Sequence, residues 1–364
     1  MRVKNIFRLG KHLSQYWFAR KTGFPKVLPT NLTLNVTYRC NSRCLTCNIW
    51  KKQADELTLA EWKKVFKNYN SSVFWLILSG GEPFLRKDLV ELVRAGHEYL
   101  QPAIINIPTN GILFKIIPQK IKRILKNCPD SEIVINFSLD GVGKDHDKIR
   151  GVPGNFEKLM KSFKAVKKLK KKYPNLTIGL HTVISKYNVQ NIPQICDFAL
   201  SQEPDQYITE IAEQRAELGT MGKKITPPLK DYTKAVGHVA QKTGEMETRG
   251  LAKITEALRL EYYNLVKNIL KQKTQVIPCY AGWTSAQISA DGEVWPCCVR
   301  GDNLGSLRDS NYNFAKIWFS KKADKIRESI KNKECFCPLA SASYTNMLMN
   351  LKTGTKLLFN LFKI

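Results

Sequence analysis

Val73-Phe-Trp-Leu-Ile-Leu78, Ser79-Gly-Gly-Glu-Pro83, an amphipathic stretch over 87–100, then Ala103-Ile-Ile-Asn-Ile-Pro108: these four pieces, read in order, decide the fold. The two apolar runs have strand length, the glycine pair makes a turn, and the middle stretch has helical periodicity. Strand, helix, strand is a β-α-β unit with parallel strands. The rhythm continues on both sides. Strand-like runs recur at 32–37, 133–139, 176–185 and 207–211, and helical patterns fill 59–69, 116–126, 156–173 and 191–200. Thr58 with Glu61 forms a capping-box start for the helix at 59–69. Six units are too few to close an eight-stranded barrel, and leave a partial barrel or an open doubly wound sheet. We expect an α/β chain: a partial (β/α)6 TIM-like barrel with a small C-terminal cysteine-rich α+β domain.

The rhythm stops near residue 220. Pro227-Pro228 opens a helical stretch to about 273. A hairpin signal follows, with Asp291-Gly292 between the apolar runs 286–290 and 293–295. A last helix is expected over 314–330. The expected divisions are a basic amphipathic leader (1–30), the core barrel (31–220), a helical linker (221–278), the cysteine-rich domain (279–340) and an amphipathic basic tail (341–364).

The length of 364 residues suits two domains at ~150 residues each. The longest uninterrupted apolar run, Val73 to Leu78, falls far short of the ~20 residues of a spanning helix. The basic N-terminus lacks the apolar core of a secretory signal, so a cytoplasmic location is expected. Lys and Arg number 58 against 31 Asp and Glu, a net charge of +27. That excess points to an anionic partner, or else to a solvated basic surface. The ten cysteines are too sparse for a disulfide scaffold, and eight of them cluster at 40, 44, 47, 279, 297, 298, 335 and 337. Clustered cysteines without an export signal read as metal ligands.

Cys40-Asn-Ser-Arg-Cys44-Leu-Thr-Cys47 follows the first strand. Its three thiolates can hold three corners of a metal centre. Zinc sites more often pair C-x2-C units into four ligands. Three cysteines can hold a 4Fe–4S cluster and leave one iron open, and thiolates suit iron–sulfur chemistry. Further motifs sit where other strands end: Ser79-Gly80-Gly81-Glu82-Pro83, Thr109-Asn110-Gly111, and Asn136-Phe-Ser138-Leu-Asp140-Gly141 with His146 and Ile149-Arg150-Gly151 shortly after. The carboxyl ends of parallel strands are where sites form in such folds. His146 and His181 read as packing or hydrogen-bonding residues.

The cysteine triad on the loop after strand one resembles that of the radical S-adenosylmethionine (SAM) superfamily. The resemblance implies that Cys40, Cys44 and Cys47 hold a 4Fe–4S cluster whose open iron is chelated by SAM. It implies that Gly80, Gly81 and Glu82 line the methionyl end of SAM. It places Ser138, Asp140 and Arg150 at the ribose or carboxylate region, with a helix cap as the other reading of Asp140. The segment from Cys279-Tyr-Ala-Gly-Trp283 through Pro296-Cys297-Cys298 to Cys335-Phe-Cys337-Pro338 resembles a SPASM/twitch domain. By that resemblance Cys279, Cys297, Cys335 and Cys337 hold a second, auxiliary 4Fe–4S cluster and Cys298 is spare; a structural zinc is the alternative.

The resemblance implies an enzyme that cleaves SAM reductively to a 5′-deoxyadenosyl radical and takes hydrogen from a substrate. The reductant would be a protein such as a flavodoxin or ferredoxin. The substrate is a peptide or protein, or a membrane-associated lipid or glycan precursor. The leader carries Leu13, Trp17 and Phe18 among Lys11, Arg20 and Lys21, and the tail carries Leu357, Leu358 and Phe362 among Lys356 and Lys363. Such basic amphipathic ends suit an anionic membrane surface on the inner face, or else pack back onto the protein. The alternative from another class is a non-enzymatic zinc protein binding nucleic acid or an anionic membrane. No aromatic-basic nucleic-acid module is recognisable, so no specific nucleic acid is expected.

Overall fold

The computed structural model describes residues 3–71, 73–244, 251–350 and 352–353. Helix α1 (Val3–Thr22) precedes six β-α repeats. In order these are β1 (Asn31–Thr37), α2 (Leu59–Tyr69), β2 (Trp75–Gly80), α3 (Leu89–Leu100), β3 (Ile104–Thr109), α4 (Ile117–Asn127), β4 (Glu132–Ser138), α5 (Lys144–Arg150), α6 (Asn155–Lys167), β5 (Leu176–Ile184), α7 (Ile192–Ser201) and β6 (Gln206–Ile211). Then come α8 (Leu229–Gly244), α9 (Leu251–Gln272), β7 (Ser285–Ile288), β8 (Glu293–Trp295), β9 (Gly305–Ser306), α10 (Phe314–Trp318), α11 (Lys321–Lys331) and α12 (Ala340–Met349).

Among the described residues the strands form one nine-stranded sheet, β6-β5-β4-β3-β2-β1-β7-β8-β9. The six core strands run parallel, as the β-α alternation requires. The fold is α/β, a partial TIM-like barrel. Alternate strand residues such as Leu34, Leu78, Ile105, Ile135 and Leu180 are buried under the helices. Trp62 and Phe66 of α2 and Leu92 and Val93 of α3 meet them in the main core.

The opposite face of the sheet mixes apolar residues such as Ile77 and Val134 with polar ones. Asn136 Nδ2 donates to Asn106 Oδ1 at 3.1 Å, and Gln206 Nε2 donates to Asn136 Oδ1 at 3.0 Å. The second bond crosses β5 at Gly179, where a Cβ would stand 2.1 Å from Asn136 Oδ1. A closed eight-stranded barrel fills its interior with branched apolar side chains. Here three amides stand among the apolar side chains, a surface that can meet polar groups of a ligand.

The hairpin at 285–295 forms around Asp291-Gly292 as expected, but it builds no sheet of its own. β7 pairs in parallel with β1, Asn31 to Ser285 through Leu34 to Ile288. The cysteine-rich segment therefore continues the barrel sheet. Two helix expectations also change. The stretch 314–330 is two helices, because Ser320 caps α11, its Oγ accepting from Ala323 N at 3.2 Å. The stretch 156–173 ends as an α-helix at Lys167 and tightens into a 3₁₀ turn over Lys168–Lys171, which buries no residue.

The leader packs back in part. Tyr16 and Ala19 of α1 are buried against Tyr280, Trp283, Ile330 and Met349. Residues 341–349, expected within an amphipathic tail, belong to α12. The tail residues 354–364, with Leu357, Leu358 and Phe362, lie outside the described residues. No described helix is long and apolar enough to cross a membrane.

Candidate active site and second cysteine cluster

Cys40, Cys44 and Cys47 lie on the loop that leaves β1, and the chain's own backbone holds that loop from two sides. On one side Gly81 N donates to Thr37 O at 2.7 Å and Glu82 N donates to Arg39 O at 2.9 Å. The approach is so close that a Cβ on Gly80 or Gly81 would stand 2.2 Å from Thr37 O or Arg39 O. On the other side Arg43 N donates to Arg150 O and Leu45 N to Ile149 O, both at 2.9 Å. Gly151, at φ +65°, leaves room for Arg43 O, which a Cβ would meet at 2.4 Å. The glycine pair, which the resemblance places at the methionyl end of SAM, packs against the loop that carries the cysteines.

Backbone N–H groups of Ser42 and Ile49 point at Cys40 Sγ and Cys47 Sγ, each at 3.4 Å. Burial pushes the thiols up, Cys40 to about 11 and Cys47 to about 12. Cys44 is raised by burial as well, with the Arg150 guanidinium acting against the shift.

Glu82 is fully buried where β2 ends. Its Oε1 accepts from Thr109 Oγ1 at 2.9 Å and Phe84 N at 3.2 Å, and its Oε2 accepts from Asn110 N at 2.8 Å. Burial raises its pKa against those three bonds. Asn110 Nδ2 reaches on to Asn41 Oδ1 at 2.7 Å, inside the cysteine loop. Glu82 therefore ties β2 and β3 to the triad. Ser138 ends β4 on the face of Asn136, opposite the buried Phe137.

Asp140 caps no helix. Its Oδ2 accepts from Arg150 Nη1 at 2.9 Å and its Oδ1 from Val183 N at 2.9 Å. His146 is structural: Nδ1 accepts from Asp140 N and Nε2 lies 3.2 Å from Asn155 Oδ1, an arrangement that assigns the proton to Nε2. Burial and Arg150 hold the ring neutral, its pKa near 4. Arg150 Nε and Ser42 Oγ are buried without a partner. Two orphaned donors beside three thiols are polar groups that a bound ligand would satisfy.

A second set assembles at the far end. Cys279, Cys297, Cys335 and Cys337 line one small cavity with Arg300. Arg300 Nη1 lies 3.8 Å from Cys335 Sγ, and Asp302 pairs with the same guanidinium. Arg20 of α1 donates from Nε to Cys279 O at 3.0 Å. Cys298 is outside that lining, buried beside Leu339 and Ala342. Among the described residues the three-ligand group within 4.8 Å is Cys196, Asp197 and His238, so both cysteine sets are spread more widely. A single tetrahedral zinc at ~2.3 Å per sulfur would draw its thiols closer than that; a polynuclear cluster would not.

The strand-end pattern also missed a cluster of partly buried charges at the end of β6. Glu210 lies 2.9 Å from His181 and 3.0 Å from Arg215, which also pairs with Glu213 at 3.2 Å. Burial acts upward on Glu210, but His181 and Arg215 pull it down to about 2; burial carries Glu213 up to about 7 despite Arg215. Glu210, Glu213 and Arg215 stand close together in the sequence where β6 ends, but His181 joins them from β5.

Residues 34–199 match the radical SAM superfamily model, and residues 279–338 match that of the SPASM iron–sulfur cluster-binding domain. The chain carries a radical SAM domain followed by a SPASM domain. Its cofactors are a 4Fe–4S cluster and SAM, with auxiliary iron–sulfur in the SPASM domain. The Fe-coproporphyrin III synthase of Methanosarcina barkeri is 27% identical over 323 residues, 82% of this chain and 76% of that protein. The PqqA peptide cyclase of Bradyrhizobium diazoefficiens is 25% identical, covering 81% and 74%. The crystal structure of Streptococcus suis SuiB bound to S-adenosylmethionine superposes with a TM-score of 0.59 at 18% identity, over 88% of this chain and 72% of that one. That likeness concerns the fold.

Proposed function

We propose that this radical SAM enzyme binds its catalytic cluster through Cys40, Cys44 and Cys47 and acts on a peptide or protein substrate. The observation that carries the first part is the seating of the cysteine loop between Gly80-Gly81-Glu82 and Ile149-Arg150-Gly151. When bound, the cluster and SAM supply an electron and a 5′-deoxyadenosyl radical that takes hydrogen from the substrate. The protein's part is placement and exclusion of water. Ser42 and Ile49 N–H groups support sulfur charge, and Arg150, fixed by Asp140, offers its free Nε to an anionic group of SAM. Glu82 holds the ends of β2 and β3 at the methionyl side. The interior face that carries Asn106, Asn136 and Gln206 receives the substrate, and Cys279, Cys297, Cys335 and Cys337 hold the auxiliary cluster.

Support for the peptide class is the named business of relatives that match over most of the chain. One is a peptide cyclase; another is AlbA of Bacillus subtilis, a bacteriocin biosynthesis protein 22% identical over 93% of this chain. The test is anaerobic reconstitution with iron and sulfide, then dithionite and SAM, with 5′-deoxyadenosine measured beside a Cys40→Ala control. Wild type forms the nucleoside. The control forms none, yet keeps the iron of the auxiliary site. Uptake of zinc and no iron by wild type would overturn the reading.

A further inference from the structure

We propose that the outer face of α1, with the adjoining end of α12, is a docking surface for an anionic lipid bilayer. The sequence places no Asp or Glu before Asp55, while residues 1–28 hold seven Lys and Arg. It places none after Glu334 either, where Lys352, Lys356 and Lys363 follow. Two carboxylate-free ends are unusual in a chain with 31 acidic residues. The fold brings the described parts of the two ends together: Met349 of α12 packs in the same cluster as Tyr16 of α1.

The helix is anchored on its inner side. Tyr16 OH donates to Leu28 O at 2.8 Å, and Arg20 stacks over Tyr280 and Trp283 while bonding Cys279 O. Its outer side is apolar and cationic at once. Trp17, Phe18 and Phe24 are 38%, 52% and 72% exposed, and Leu348 of α12 is 41% exposed. Trp17 and Phe18 meet edge to face at 5.0 Å, and Lys21 Nζ lies 4.9 Å over the Trp17 ring. Thr22 Oγ1 accepts from Phe24 N at 3.2 Å, which holds the Phe24 backbone just past the helix end.

At 100° per residue, Trp17, Phe18 and Lys21 project opposite Tyr16 and Ala19. A nearby carboxylate, Asp324, is paired with Lys26 and Arg327. Bulky rings that enter the acyl boundary, with lysines at headgroup level, are what an interfacial helix presents to an acidic membrane. Docking there is independent of the substrate's identity.

The test uses the full chain with iron–sulfur reconstituted, cosedimented with vesicles of phosphatidylcholine alone or with one quarter phosphatidylglycerol. Wild type binds the anionic vesicles, more weakly as salt rises, and scarcely binds the neutral ones. W17S/F18S/F24S loses at least tenfold in partitioning, with iron content and 5′-deoxyadenosine formation unchanged. K21E/K26E loses affinity for the anionic vesicles alone. No sedimentation with anionic vesicles at low salt overturns the proposal. So does undiminished binding by the triple variant, or retention of the protein on a single-stranded oligonucleotide in place of vesicles. Partitioning is read without SAM or substrate, so its failure is separate from any failure of the radical chemistry.

Discussion

An alanine at Gly81 would place its Cβ 2.2 Å from Arg39 O, a clash with backbone that no rotamer relieves. Gly151→Ala meets Arg43 O at 2.4 Å and adds left-handed strain. Each variant is expected to cost about 1–3 kcal/mol and to lose the iron of the catalytic site while retaining that of the auxiliary site, read by iron assay and electron paramagnetic resonance. Arg300 makes a different prediction. Its guanidinium meets Cys335 Sγ, and hydrogen bonds to cluster sulfurs raise the reduction potential. Arg300→Gln should shift the auxiliary cluster's midpoint downward in a redox titration and leave the catalytic cluster's unchanged. At this scale the cysteine triad was legible because three thiols within eight residues are a local pattern. The Glu210, Glu213 and Arg215 cluster was not, because His181 reaches Glu210 from a neighbouring strand. The alternative reading of Asp140 as a helix cap fails for the same reason: its carboxylate is taken by Arg150 and by the backbone of Val183 on β5.

Helices and strands follow short-range rules more closely. The Thr58–Glu61 capping box forms as its spacing predicts. Glu61 then takes on a second task that sequence cannot show, pairing with Arg308 at 2.7 Å and accepting from Tyr312 OH at 3.0 Å. Those bonds join α2 to the segment after β9. The Arg308 hydrogen bond leads the causes that hold Glu61 at about 2. A depressed carboxylate stabilises the fold above its unfolded pKa, and the gain fades as pH falls toward the folded value. Arg308→Ala should therefore lower stability by about 0.5–1 kcal/mol near neutrality. The gap from wild type should close between pH ~4.5 and about 2 in thermal melts. The division of 314–330 into α10 and α11 escaped the apolar periodicity because Ser320 is a local stop inside a continuous-looking pattern.

Across the whole molecule, the parallel core was legible from alternation alone, since each β-α unit announces its neighbour. What alternation could not announce is the partner of β1. That strand lies between β2 and β7, with Asn31 facing Trp75 on one side and Ser285 on the other. The placement governs how the chain is made. At ~5–20 residues per second, synthesis leaves β1 with one bare side for roughly 10–50 s before Ser285 is available. During that interval Asn31–Thr37 is an unprotected strand edge, and unprotected edges recruit other chains. A protein ending before Cys279 would keep that edge for good. It is expected to self-associate in light scattering where the full chain does not, even with its cysteine triad and glycine seat intact.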